Sequence, residues 1–362
     1  MATQVTNYQC PACTAPMHFS AESGRLECEF CRSSYSVGEI DVLYKDQNQS
    51  AAQVVPAEAE NIIEESHWGR DAQKMRAYSC PSCGAELICY FTTAATSCPY
   101  CGNPTIVPGQ FEDTLRPDFI IPFKYSREEA KEGFRLYCKT KRLLPKAFTE
   151  ENHIEEIKGM YVPFWLFDAK GRADVTFAGT RTTSHVSGPI ERITTQHYRV
   201  RRVGRVEFRN VPVDGSSKMP DEYMEAIEPF DYEKLQPFSM SYLPGFLADR
   251  YDLSHEKVYD RARIRMEEST EEAVRNRVHG YDTLVPISKN IQMQQVRRRY
   301  AMLPVWTLHT KYRGKDYLFA MNGQTGKMVG NLPISWGKLL GKLAGITLGG
   351  TALITAFFML FG

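Results

Sequence analysis

The sequence predicts a multidomain chain with two small β ribbons, a mixed α+β domain rich in antiparallel strands, and one C-terminal transmembrane helix. Three observations carry this. Eight of the ten cysteines fall in four C-x-x-C pairs. A long central stretch alternates apolar and polar residues and is rich in aromatic and β-branched side chains. The last twenty residues carry no charge. At 362 residues the chain is long for one compact domain. With 43% hydrophobic and 24% charged residues it is neither disordered nor a polytopic membrane protein. The expected units are a first ribbon at 1–43, an acidic linker at 44–72, a second ribbon at 73–109, the α+β domain at 110–335 and an anchor at 336–362.

The ribbons rest on cysteine spacing. Cys10, Cys13, Cys28 and Cys31 read C-x2-C-x14-C-x2-C, and Cys80, Cys83, Cys98 and Cys101 repeat the pattern at an offset of 70. Tyr8 and Pro11 recur as Tyr78 and Pro81, so the unit is duplicated. Each C-x-x-C turn presents two sulfurs, and a hairpin brings two turns face to face around a tetrahedral ion. Proline inside CPAC, CPSC and CPYC, with Gly84 and Gly102 behind two of the turns, favours the tight geometry. Redox-inert Zn2+ is the usual occupant of four-thiolate ribbons, which makes these two structural zinc ribbons with no open position for a catalytic water. Disulfides are the competing reading, set aside because the anchor's orientation places the cysteines in a reducing compartment. Cys89 and Cys138 stand outside both quartets and read as buried thiols.

In the central domain, Ser126-Arg127-Glu128-Glu129 is a capping box opening a helix to Cys138. Lys158 to Arg209 alternates as an antiparallel meander. A short helix near Asp221–Glu228 and a long charged one near His255–Val278 follow. Strands return in LPVWTLHTKY and KDYLFAMN, joined by a turn at Arg313-Gly314. Val162-Pro163-Phe164-Trp165-Leu166 is echoed by Leu303-Pro304-Val305-Trp306-Thr307, either a second duplication or two strands that begin alike. Both tryptophans read as core anchors. No helical histidine pair, nucleophile elbow or complete phosphate loop is present, and Gly323-Gln324-Thr325-Gly326-Lys327 reads as a hairpin turn. The chain is not expected to be an enzyme.

The N-terminal residues MATQVTNYQC lack the pattern of a signal peptide. After Lys342 the chain runs twenty residues without charge, enough for about 30 Å of helix. Trp336, Lys338 and Lys342 precede this run, so the expectation is a single-pass cell-membrane protein with its N-terminal bulk in the cytoplasm. Gly341, Gly345 and Gly349 form a small-residue stripe suited to helix pairing.

Charge is unevenly distributed. Residues 1–110 hold six Lys/Arg against twelve Asp/Glu, and two metal–thiolate centres would bring this half near −10. The remainder holds 38 basic and 31 acidic groups. The excess gathers at Arg199, Arg201, Arg202, Arg205 and Arg209, at Arg297–Arg299, and at Lys338 and Lys342. Arg199, Arg201, Arg202, Lys338 and Lys342 are candidates to face lipid headgroups or another polyanion. Nucleic acid is the less favoured partner, because the ribbons would repel phosphates.

The CPxC and CPYCG ribbons, Pro117–Phe123 (PDFIIPF), Ile157–Asp168 (IKGMYVPFWLFD) and Asn322–Lys327 (NGQTGK), ahead of the apolar C-terminal segment, resemble the TFIIB-type zinc-ribbon-containing membrane proteins of Gram-positive bacteria. Members are often labelled primosomal-helicase-like or RNA polymerase subunit P-like, through the ribbon. The resemblance implies a non-enzymatic membrane-stress protein, with phage-shock protein A or flotillin-like proteins as partners. The expected function is a membrane-anchored zinc-ribbon adaptor presenting a cytoplasmic surface to protein partners. The alternative is a nucleic-acid-binding ribbon protein of replication or transcription.

Overall fold

The computed structural model of the chain describes residues 10–13, 17–28, 31–43, 68, 72, 75–90, 97–103, 107–109, 115–141, 143–145 and 157–361. The first ribbon is a separate three-stranded sheet of β1 (Met17–Ser20), β2 (Arg25–Cys28) and β3 (Ser34–Tyr35), followed by α1 (Val37–Leu43). The second ribbon supplies β4 (Met75–Ser79), β5 (Glu86–Tyr90) and β6 (Val107–Gly109). Then come β7 (Phe119–Ile120), α2 (Arg127–Thr140), β8 (Lys158–Ser187), β9 (Ile190–Asp214), α3 (Asp221–Ala226), β10 (Gln236–Pro237) and β11 (Leu247–Asp249). The chain continues through α4 (His255–Arg275), β12 (Thr283–Tyr312), β13 (Lys315–Asn322), β14 (Met328–Gly330) and α5 (Trp336–Phe361).

All strands after β3 join one sheet of eleven, in the order β10-β7-β12-β8-β11-β5-β4-β6, with β9 paired to β8, β13 to β12 and β14 to β13. The chain is therefore mostly β-sheet, and the second ribbon is continuous with the central sheet through the β5–β11 pairing. At 30 residues each, β8 and β12 are about 100 Å of extended chain. The first half of β12, Thr283 to about Arg299, was not expected as a strand, because SKNIQMQQVRRR is polar. Pairing with β8 decides it: Ser288, Asn290, Gln292 and Gln294 point to solvent while Ile291 and Met293 turn inward.

The Pro-Trp echo occupies the centre of this sheet. Val162 of β8 lies directly opposite Leu303 of β12. Beside them β11 pairs in parallel with Met160 and Tyr161, and β7 pairs in parallel with Ala301 and Met302. Trp165 donates its indole N–H to Leu253 O at 2.9 Å, the residue before Ser254, the N-cap of α4. Trp306 donates to Tyr125 O at 3.0 Å, the residue before Ser126, the N-cap of α2. The succession β7–α2–β8–β9 thus recurs as β11–α4–β12–β13, about a local two-fold axis, with the first strand of each half paired into the other. Both tryptophans are buried core anchors.

The helices cover this sheet for reasons visible in their spacing. In α2 both halves of the capping box form, and Ala130, Phe134 and Cys138 are buried. Phe134 meets Phe319 of β13 edge-on at 4.8 Å. In α4 Val258, Ala262, Met266, Thr270 and Val274 are buried at three- and four-residue steps. Val274 joins Val175, Phe177 and Val200 in one apolar cluster, so α4 lies on a single face of the β8–β9 hairpin. At the end of the VPFWLFD run, Asp168 sits where both flanking strands carry an extra residue with positive φ, Asn210 (54°) and Gln295 (51°). Arg299 donates to both Asp168 oxygens at 2.8 Å and to Asn210 Oδ1 at 2.6 Å, while Asn210 N donates to Asp168 Oδ1 at 2.8 Å. One carboxylate therefore pins three strands at their bulges.

The C-terminal transmembrane helix of the expected fold class is corrected. The segment is helical, but among the described residues no helix is long and apolar enough to cross a membrane. The described side chains of α5 include Lys338, Lys342, Thr347 and Thr351 among five glycines, short of the roughly 20 apolar residues a span needs. Its start is also tied to the sheet domain: Ser335 N donates to Leu143 O at 2.8 Å, and Lys338 Nζ to Leu144 O at 2.6 Å. The side chains of residues 348 and 352–361 lie outside the described residues. The single-pass membrane localisation, and the orientation argument built on it, fall with the anchor. The stripe of Gly341, Gly345 and Gly349 meets nothing within 4 Å. The linker expected at 44–72 lies outside the described residues except Trp68 and Ala72; Trp68 is buried edge-on to Phe238 at 5.5 Å.

Candidate metal centres

Both cysteine quartets assemble. In the first, Cys10 Sγ and Cys31 Sγ are 3.4 Å apart and Cys13 Sγ and Cys28 Sγ 3.5 Å. In the second, Cys80–Cys101 and Cys83–Cys98 are each 3.6 Å. Within each quartet all four sulfurs lie within 4.8 Å of one another. A disulfide needs about 2.05 Å, so these are free thiols. Four sulfurs at about 2.3 Å from a central ion would stand about 3.8 Å apart, close to what is found. The two groups are positioned to hold one metal ion each.

The knuckles owe their shape to the backbone. Arg32 N donates to Cys28 O at 2.9 Å, Gly84 N to Cys80 O at 2.8 Å and Gly102 N to Cys98 O at 3.0 Å. The residue closing each loop is left-handed, with φ of 60° at Arg32 and 68° at Gly84 and Gly102. Gly102 is constrained twice, since a Cβ there would stand 2.5 Å from Nδ1 of His309. Arg32, its counterpart in the first ribbon, carries a side chain at that place.

The two centres differ in their surroundings. In the first, Cys10 and Cys28 are buried but Cys13 and Cys31 are exposed. Hydrogen bonds from the Ser33 side chain and backbone hold the Cys31 thiol down to about 6. This ribbon leans on the rest of the molecule through packing: Phe19 N donates to Pro244 O at 3.3 Å and its ring meets Tyr242 at 5.3 Å. In the second, Cys83 and Cys101 are half-buried, and burial pushes the Cys83 and Cys98 thiols up. Lys158 of β8 donates to Ser97 O at 2.8 Å and to its hydroxyl. Tyr100, between the last two ligands, is buried beside Asp249 of β11, whose fully buried carboxyl is pushed up to about 7 by desolvation. The second centre is thus a corner of the main sheet, while the first stands on a sheet of its own that packs into the same apolar core. Lys158, His309 and Asp249 carry no motif, and spacing alone could not have assigned them to the second centre.

The remaining sequence candidates resolve individually. Cys89 and Cys138 are buried apart from both quartets, their thiols raised by burial to about 11. Arg201 makes a two-pronged pair with Asp174, at 2.8 and 2.5 Å. Arg202 donates to Arg201 O at 3.0 Å, and Arg199 is exposed. Strand alternation puts Arg199 and Arg201 on one face and Arg202 on the other. Lys338 is engaged with Leu144, and Lys342 is exposed. The NGQTGK loop is a turn whose side chains serve main chain. Asn322 Nδ2 donates to Ile227 O and Pro229 O at 3.0 and 3.3 Å, Gln324 exchanges two bonds with Asp231, and Lys327 reaches Glu228 O at 2.5 Å.

The chain is 34% identical over 349 residues to the uncharacterized protein YdjG of Bacillus subtilis (strain 168), an alignment covering 96% of each chain. No family model and no solved structure matches it.

Proposed function

The chain belongs to the family of Bacillus subtilis YdjG, and for it we propose a non-enzymatic zinc-ribbon adaptor that presents a surface to protein partners. The observation that carries this is the closure of both metal centres. Each offers four thiolates and no open position, so a bound ion would be a structural element and not a Lewis acid. Zn2+ suits the site because its radius, tetrahedral preference and redox inertness match four thiolates on two rigid knuckles. The formal charge of the ribbon half favours a protein partner over a polyphosphate.

Two measurements on the full chain test the reading. Elemental analysis of purified protein should return two zinc ions per chain; iron, or one metal, would overturn the assignment. Crosslinking in cells followed by mass spectrometry should recover a specific protein, and lose it when both quartets carry serine. Recovery of nucleic acid without protein would reverse the choice of partner.

A further inference from the structure

We propose that the outer edge of β9, from Arg199 to Arg209, is a docking edge for an extended acidic polypeptide segment. The proposal deepens the adaptor reading and rests on it for the choice of a protein partner; it gives that partner a chemistry. Among the described residues β9 pairs with β8 alone, so its outer edge carries backbone donors and acceptors that no strand uses. α4 covers one face of the hairpin, through Val274 on Val175, Phe177 and Val200, and leaves the edge and the opposite face open.

That open face is basic in an ordered way. Arg199, Arg201, Arg205 and Arg209 share one face of β9, spaced two, four and four residues apart with Val203 and Glu207 at the intervening places, and Lys170 and Arg172 stand beside them on β8. The acids of this stretch, Asp174 and Glu207, are already taken by Arg201 and Arg209. Arg172 and Arg205 face each other in register, and among the described residues neither has an ion pair. Like charges directly opposite destabilise a strand pair, so an anion placed between them would relieve a standing repulsion. The neighbouring column on β12, Ser288, Asn290, Gln292 and Gln294, supplies donors and no negative charge.

The pattern selects its occupant. A second copy of β9 would set arginine against arginine, so charge keeps the edge from pairing with itself. A strand bearing carboxylates at alternate positions repeats every ~6.8 Å, as β9 does, and would complete the ladder while placing an acid opposite each arginine. A single-stranded nucleic acid could use the cations but neither the backbone edge nor any stacking surface. No aromatic side chain lies on this face between Lys170 and Ala178 or between Arg199 and Arg209.

The test uses the zinc-loaded full chain, a 12-residue peptide alternating Glu and Thr, its Lys-Thr counterpart, and oligouridylate. The Glu-Thr peptide should bind, weaken about tenfold or more between 50 and 300 mM salt, and slow amide exchange along 199–209 while leaving β13 unchanged. The double variant Arg172→Glu, Arg205→Glu should lose this peptide and gain the Lys-Thr one. The milder Arg172→Gln, Arg205→Gln pair should weaken binding at least fivefold with zinc content retained, which separates lost recognition from lost folding. Absence of binding, binding without protection of β9, or equal binding of oligouridylate with the same arginine dependence would overturn the proposal. A cellular protein partner still recovered from the double variant would reject this edge and leave the adaptor reading standing.

Discussion

Val162 and Leu303 face each other across the centre of the sheet, and their surroundings correspond. Each lies three residues before a tryptophan whose indole N–H closes on the carbonyl preceding a helix N-cap. Each has a short parallel strand from the other half at its shoulder. The pair marks the axis on which the domain is built, and several consequences can be measured.

Equivalent positions should carry comparable energies. Trp165→Phe and Trp306→Phe each remove one buried hydrogen bond and part of an aromatic contact, for an expected loss of about 2–3 kcal/mol apiece. Urea denaturation of both variants checks this. A loss confined to one of them would show that the shared geometry does not carry shared energetics.

The two metal centres should open in order. With zinc bound and a thiol-alkylating reagent present, Cys13 and Cys31 are exposed and should be modified first, while Cys80 and Cys98 are buried and should be modified last. Mass spectrometry against time reads the order; modification of the second quartet first would contradict the difference in burial.

Single serine substitutions should separate the centres thermodynamically. Cys13→Ser is expected to release one metal and leave the main unfolding transition within about 1 kcal/mol of the parent, because the first ribbon has its own sheet. Cys83→Ser should lower that transition by about 3 kcal/mol or more, since β4 and β5 are strands of the central sheet. Calorimetry with metal analysis distinguishes the two.

Asp249 gives a pH dependence of known sign. Its folded-state carboxyl, raised from 3.8 to about 7 by burial, is favoured protonated. Folding is therefore opposed progressively as pH rises from about 4 to about 7, and no further above that. Asp249→Asn keeps the shape and removes the charge. Its stabilising effect should be larger at pH 8 than at pH 6 by about 1 kcal/mol. Equal effects at the two pH values would mean that the carboxyl ionises normally.

The cysteine arithmetic, the Ser126 capping box, the long charged helix near His255–Val278 and the Arg313-Gly314 turn were legible because each depends on residues close in sequence. Arg313 and Gly314 indeed both take positive φ, 51° and 75°. The early part of β12 was not legible, since its strand character comes from a partner more than a hundred residues away. Nor was the exchange of β7 and β11, which depends on register alone. The C-terminal run was read from hydropathy alone, which counts residues in isolation and carries no sign that the same helix starts tied to the sheet domain, where Lys338 donates to a carbonyl nearly two hundred residues earlier. At the metal centres the ligands were plain in the spacing. Their inequality arises from Lys158, His309 and Asp249, which reach the second ribbon from three different strands.

Because β7 belongs to the first half by sequence and to the second by pairing, and β11 the reverse, neither half owns a complete set of strands. The arrangement is the intramolecular counterpart of a domain swap. During synthesis the inner edge of β8 stays bare until β12 has emerged, leaving up to 30 residues of uncovered strand in the nascent chain. Fragments severed between Asp214 and Asp221 would be expected to find each other and reassemble, since each half is the mould for the other.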